Sequence, residues 1–258
     1  PGFGYFTGAL LRRGELTTTM VDFSGTPHGR ETVAIDAMGK DEIYRLLEEA
    51  VRRDREEARQ LGGLYLGSGV AVSSVVDNEG AVHPSADFAL DLSALPGRLA
   101  KQLENGASVV VENDANCTAL YWHQRVRVPA ASILSLVFSH RPESVGGGMV
   151  VDGVLYRGRG GSAGEILPRG SSQDRAPADL LLEAAVRIAD PEVVVVGVDE
   201  AADQTGDEVI GRYPGLLEEL RDRDVVHTTN PTAALLGAAY LAYERALPEA
   251  VAQTKRSG

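Results

Sequence analysis

The chain has 258 residues, 43% of them hydrophobic, and a formal net charge of −12. It can bury a substantial core, in one large domain or two smaller ones. The acidic balance argues against nucleic-acid binding by this chain, because phosphates demand a basic surface. The single cysteine excludes an internal disulfide and fits a reducing, cytoplasmic compartment, and no apolar run approaches the ~20 residues of a membrane span.

In chain order, the first predicted element is a strand pair. GYFTGALL and ELTTTMVDF flank Arg12-Arg13-Gly14, a hairpin turn among β-branched neighbours. Asp41 to Gln60 follows a helical period, with Ile43, Leu46, Leu47 and Ala50 on one face. Asp41 is its expected N-cap and Gly62-Gly63 its stop. LYLGSGVAV reads as a buried strand and Asp77-Asn78-Glu79-Gly80 as a turn. Leu92 to Asn105 is a second predicted helix, closed by Gly106. SVVVEN is a buried strand, with a helix from Ala115 to Val126 directly behind it. In the second half, ASILSLVFS is a strand and GGGMVVDGVLYRG a hairpin turning at Asp152-Gly153. Ala178 to Ala189 is helical. PEVVVVGV is an unbroken apolar strand, the pattern of a parallel sheet covered on both faces. A helix from Tyr213-Pro214 to Arg223, a short edge strand VVHTT and a small-residue helix from Thr232 to Ala246 complete the series. The sum is α/β: two halves, each a mixed sheet with helices.

The chemistry concentrates in VVVENDAN, Val109 to Asn116, where an apolar run stops at an acid, an amide, a second acid and a second amide. A strand end followed by a helix start is where open α/β sheets place ligands. Capping accounts for part of this polarity, but four polar groups exceed what one cap needs. A carboxylate beside an amide suits a polyol: Asp114 can accept from two hydroxyls, and Asn113 can both donate and accept. In a phosphoryl-transfer enzyme the same carboxylate could take the proton of the attacking hydroxyl. Glu165, in RGRGGSAGEI, is the candidate second acid. Gly158, Gly160, Gly161 and Gly164 either bring the backbone close to a ligand or form a flexible loop. Cys117 reads as a small buried residue, and the five histidines show no metal spacing.

These segments resemble the ROK family of repressors, open reading frames and sugar kinases. VVVENDANCTALYW is similar to that family's VENDANAAALGE, GGGMVVDGVLYRGRGGSAGEI to GGGIVxxGxLYxGxxGxAGEIGH, ADPEVVVVG to NPEVIVIGG, and NPTAALLGAAYLA to DAGLIGAAxLA; MVDFSG echoes LVDxxG. The resemblance implies a two-lobed actin/hexokinase-like ATPase (ribonuclease H-like) fold with a central ligand cleft. Its N-terminal α/β lobe would span 1–118 and its C-terminal lobe 119–258, the last helix being a candidate to pack back on the first lobe. It also assigns roles: catalytic base for Asp114 in the kinases, sugar-hydroxyl binding for Asn113 and Glu165. Asp87, in HPSADF, falls loosely on a sugar-contacting Asn, and a loop-capping role is equally open.

Elsewhere the pattern departs from the family's. The DxGGT phosphate loop is replaced by GYFTGALLRRGE. The second, LGTGIGGG, becomes SHRPESVGGG, in which Pro142 removes a donor, Glu143 adds negative charge and Ser144 replaces a glycine. Gly146, Gly147 and Gly148 remain as a phosphate-loop remnant. Val198, Asp199 and Glu200 stand where adenosine-side glycines would be. Pro168 replaces the zinc-binding His, and no cysteine follows it. The sequence therefore predicts no zinc, no ATP or Mg²⁺, and a catalytically degenerate, sugar-sensing effector domain of a ROK-type transcriptional regulator, with Asp114 a vestigial base. Its partners would be a small sugar or sugar phosphate and a second copy in a homodimer. In regulators of that family a winged-helix DNA-binding domain precedes this one, and the start at Pro1, without a methionine, is compatible with its absence from this chain. The alternatives are an ATP-dependent sugar kinase and a ligand-free pseudokinase interaction domain. Glu112 and Asn116 are expected to support the strand end and the helix start.

Overall fold

The computed structural model describes residues 4–84, 90–103, 107–126, 132–140, 143–167, 175–198 and 205–256. The chain forms two compact units, Pro1–Asn113 with Leu235–Gly258, and Asp114–Ala234. Each is built on a five-stranded mixed sheet, so the α/β expectation holds. The division falls between Asn113 and Asp114, slightly before the 118/119 boundary read from the sequence.

The first sheet has the order β3-β2-β1-β4-β5. β1 (Gly4–Arg12), β2 (Glu15–Asp22) and β3 (Pro27–Ala34) form an antiparallel meander; β4 (Leu64–Val72) and β5 (Ser108–Asn113) run parallel to β1. Arg12 pairs with Glu15 around a tip of Arg13 and Gly14, and Gly14 has φ +81°, which a side chain would strain. β3 was not foreseen. Its residues PHGRETVA are nearly all exposed, so it carries no alternating apolar signal, and Pro27 sits at the strand start where no ladder donor is needed.

α1 (Lys40–Gln60) buries Ile43, Tyr44, Leu47, Ala50, Val51 and Ala58 at helical spacing against this sheet. Its N-cap is Gly39 rather than Asp41: Gly39 is extended, and Glu42 reaches back to accept its N–H at 3.0 Å. The helix ends as expected, with Gly62 at φ +73° and the Gly63 N–H bonded to Ala58 O at 2.9 Å. α2 is shorter than predicted, Leu95–Ala100, because Pro96 favours a helix start and Leu92 lies in the preceding turn; Asn105 and Gly106 fall outside the described residues. The last helix, α7 (Asn230–Arg256), packs on this sheet through residues 235 onward. Small residues permit that approach: a Cβ on Gly69 would lie 1.8 Å from Ala238 O, one on Gly8 2.7 Å from Leu235 O, and the Ser108 hydroxyl donates to Ala242 O at 2.7 Å.

The second sheet has the order β10-β9-β6-β7-β8. β6 (Ile133–His140), β9 (Val193–Val198) and β10 (Asp224–Thr229) are parallel, and all six residues of β9 are buried between its neighbours. β7 (Glu143–Val151) and β8 (Val154–Leu155) form the expected hairpin, with Asp152 at φ +50° and Gly153 at φ +77°. α3 (Asp114–His123), α4 (Arg175–Ala189), α5 (Gly206–Ile210) and α6 (Pro214–Leu220) complete this unit. Asp179 on α4 caps α6, accepting the N–H groups of Gly215 and Leu216 at 2.9 Å each. Among the described residues, no helix is long and apolar enough to cross a membrane.

Candidate active site

In the first unit, the parallel strands β1, β4 and β5 end at one edge of the sheet, the edge where open α/β sheets carry their sites. The segment after β4 is fastened there twice. Ser73 N–H donates to Leu11 O at 3.0 Å, and the Asn113 side-chain amide donates to Ser74 O at 3.1 Å. The Ser74 hydroxyl in turn donates to His83 O. Asn113 is buried at the end of β5, with its orientation fixed by that amide bond. Glu112 is buried too, and its carboxylate accepts the Asn113 backbone N–H at 2.9 Å. Glu112 thus secures the strand end, as the sequence suggested.

In the second unit, Asp114 is the first residue of α3 and only 7% exposed. Its Oδ1 accepts the Ala115 N–H at 2.9 Å, and the Thr118 hydroxyl donates to the Asp114 carbonyl at 2.9 Å. The carboxylate lies at the N-terminal end of α3, the end of a helix that favours negative charge. The first turn of α3 is pinned to the sheet from behind. The Ser135 hydroxyl on β6 donates to Ala115 O at 2.6 Å. Gly148, the β7 partner of Ser135, lies so close that a Cβ there would be 2.3 Å from Ala115 O and 2.6 Å from Asn116 N.

Gly146, Gly147 and Gly148 stand in the middle of β7, paired with Val137, Leu136 and Ser135. Ser144 and Glu143 continue the same ladder opposite Ser139 and His140. Arg141 and Pro142, between β6 and β7, lie outside the described residues. The segment bearing Glu165 also attaches to β7: Gly147 N–H donates to Gly164 O at 2.9 Å, and Ile166 N–H to the same oxygen at 2.8 Å. Gly164 has φ +96°, and a Cβ on it would lie 2.0 Å from Gly147 O. Glu165 itself is exposed. Asp87 and Pro168 lie outside the described residues. Ser74 and Ser135 were not singled out from sequence; the only available signal for Ser135 was a lone hydroxyl inside the apolar run ILSLVF.

Among the described residues, no three His, Cys, Asp or Glu side chains gather as a metal site. One cysteine cannot supply the three thiolates of a His-Cys₃ zinc cluster, and Cys117 is buried in α3. The residues do not fit a His-Cys₃ zinc cluster.

Residues 15–166 match the ROK family. A 73-residue segment is 40% identical to an N-acetyl-D-glucosamine kinase of Vibrio cholerae; it is 28% of this chain and 23% of the relative's length. The structure is similar to a ROK family glucokinase from Streptomyces griseus solved with glucose and AMPPNP, with TM-score 0.72 and 18% identity, over 93% of this chain and all of that one. It is also similar to a ROK family transcriptional regulator homologous to the E. coli MLC protein, with TM-score 0.67 and 16% identity, over 94% of this chain and 78% of the regulator. The fold is the α/β actin/hexokinase-like ATPase fold.

These findings overturn the expectation of a degenerate effector domain. The 40% identity is to a sugar kinase.

Proposed function

The chain belongs to the ROK family, and on that premise we propose that it is an ATP-dependent sugar kinase acting on a hexose or N-acetylhexosamine. The observation that carries the reading is Asp114, a buried carboxylate set at the first turn of α3 by backbone bonds and held there by β6 and β7. The 40% identical segment of a sugar kinase supports the substrate class. Asp114 takes the proton of the attacking sugar hydroxyl. The hydroxyl oxygen forms a bond to the γ-phosphorus of Mg-ATP while the bond from that phosphorus to the ADP oxygen breaks, leaving a sugar phosphate and ADP. Glu165 binds a neighbouring hydroxyl and orients the ring. Mg-ATP supplies the phosphoryl group as a substrate, in place of the ATP-free cleft read from the sequence. An ADP-release assay with Mg-ATP and a panel including glucose and N-acetyl-D-glucosamine tests this. Sugar-dependent turnover, lowered about 10²–10⁴-fold in Asp114→Asn, is expected; no turnover with any sugar contradicts it.

A further inference from the structure

We propose that Gly147 and Gly148, with Ser135 as a latch, are positioning residues that mount two acids of the site on one strand. The inference rests on the kinase reading for the roles of those acids, and on the packing of the second unit for everything else. Gly148 meets the backbone of Ala115, the residue after Asp114. Gly147 meets the backbone of Gly164, the residue before Glu165. Consecutive residues of a strand point to opposite faces, so β7 carries the base on one side and the sugar-binding arm on the other. The rigid spacing of one strand thereby fixes both.

Both attachments depend on the absence of a Cβ. At Gly148 a methyl would sit 2.3 Å from Ala115 O and 2.4 Å from its carbonyl carbon. Carbon contacts settle at 3.5–4.0 Å, so the turn carrying Asp114 would have to move by about 1 Å. Ser135 acts on the same atom, its hydroxyl donating to Ala115 O at 2.6 Å and reaching Gly148 O at 3.4 Å. The second attachment is reciprocal. A Cβ on Gly147 would meet Gly164 O at 2.7 Å, and one on Gly164 would meet Gly147 O at 2.0 Å.

The two mounts predict different kinetic signatures. Displacing Asp114 impairs proton transfer and so lowers kcat; displacing Glu165 weakens the hold on the sugar and so raises its KM. Gly148→Ala should lower kcat about 100-fold, the cost of a 1 Å misplacement at a reacting group. Ser135→Ala, which adds no atoms and is the safer variant for folding, should lower kcat about fivefold, the factor carried by one ordinary hydrogen bond. Gly147→Ala should raise the sugar KM about tenfold, as expected when a hydrogen bond to a charged group is weakened, with the KM for Mg-ATP unchanged. The experiment is steady-state kinetics of the full chain and these variants, with melting temperatures measured in parallel. Split effects, on kcat for Ser135 and Gly148 and on sugar KM for Gly147, support the inference. Equal loss across all parameters in step with melting temperature, or unchanged kcat in both Ser135→Ala and Gly148→Ala, overturns it while wild-type turnover leaves the kinase reading standing. Wild type without turnover on any sugar removes both.

Discussion

Asp114 and Asp54 are both buried carboxylates, at 7% and 1% exposure, and they are held in different ways. Asp54 sits in the middle of α1 and is held by side chains. Thr7 donates to it at 2.7 Å, Arg53 pairs with it at 2.9 Å, and Tyr65 donates to Thr7 at 2.8 Å. Burial pushes the carboxyl of Asp54 up despite the opposing pull of Thr7 and Arg53, and burial pushes the Tyr65 phenol up as well. Asp114 sits at a strand end, and its position is set from behind by the packing of backbone against Gly148 and Ser135. An acid locked among side-chain partners in mid-helix serves the fold. An acid placed by its backbone at the mouth of a sheet is suited to a ligand.

The sharpest way to break this comparison is to neutralise each acid. Asp114→Asn should cost activity by the orders of magnitude given above and leave the melting temperature nearly unchanged. Asp54→Ala should behave in the opposite sense. It strands the Thr7 hydroxyl and should lower stability by about 2 kcal/mol in urea unfolding, with kcat per folded molecule retained. Equal losses of activity in the two variants would erase the distinction.

A smaller effect separates Asp54 from Asp22 by pH. Asp22, at the β2–β3 turn, is partly desolvated, but bonds from Ser24, His28 and the Thr26 N–H outweigh this and hold its carboxyl down at about 2. Its contribution is present above the unfolded value of 3.8 and is lost as pH falls from there toward about 2. Asp54 has the reverse sign. Its raised folded value makes folding less favourable as pH climbs from 3.8 through that value. Melting temperatures followed across acid pH should show the rising-pH penalty flattened in Asp54→Asn and the low-pH loss flattened in Asp22→Asn. The smallest expected effect lies at the β1–β2 tip, where Gly14→Ala should cost about 1 kcal/mol for its positive φ.

Much of the fold was legible because it is written locally. The six buried residues of β9, the Asp152-Gly153 turn and the strand-to-helix switch at Asn113–Asp114 each carry their own signal. β3 was not, since an exposed polar edge strand is held only by its neighbour β2. Asn113, Asp114 and Glu165 were readable as chemical types at a strand end and in a glycine-rich segment. What holds them was not. The glycine character of Gly147 and Gly148 answers to Gly164 and Ala115, residues distant in sequence, and looks identical in one dimension to a phosphate loop. The sequence reading turned away from catalysis on other positions, the missing DxGGT loop, Pro142 to Ser144 and Val198 to Glu200.

The central claim is that Asp114 serves phosphoryl transfer to a sugar. The most direct measurement is phosphorus NMR of the chain incubated with Mg-ATP and glucose or N-acetyl-D-glucosamine. The account predicts a sugar phosphate monoester resonance growing in step with ADP for wild type and nearly absent for Asp114→Asn. No monoester from either sugar, or one formed undiminished by Asp114→Asn, would contradict it.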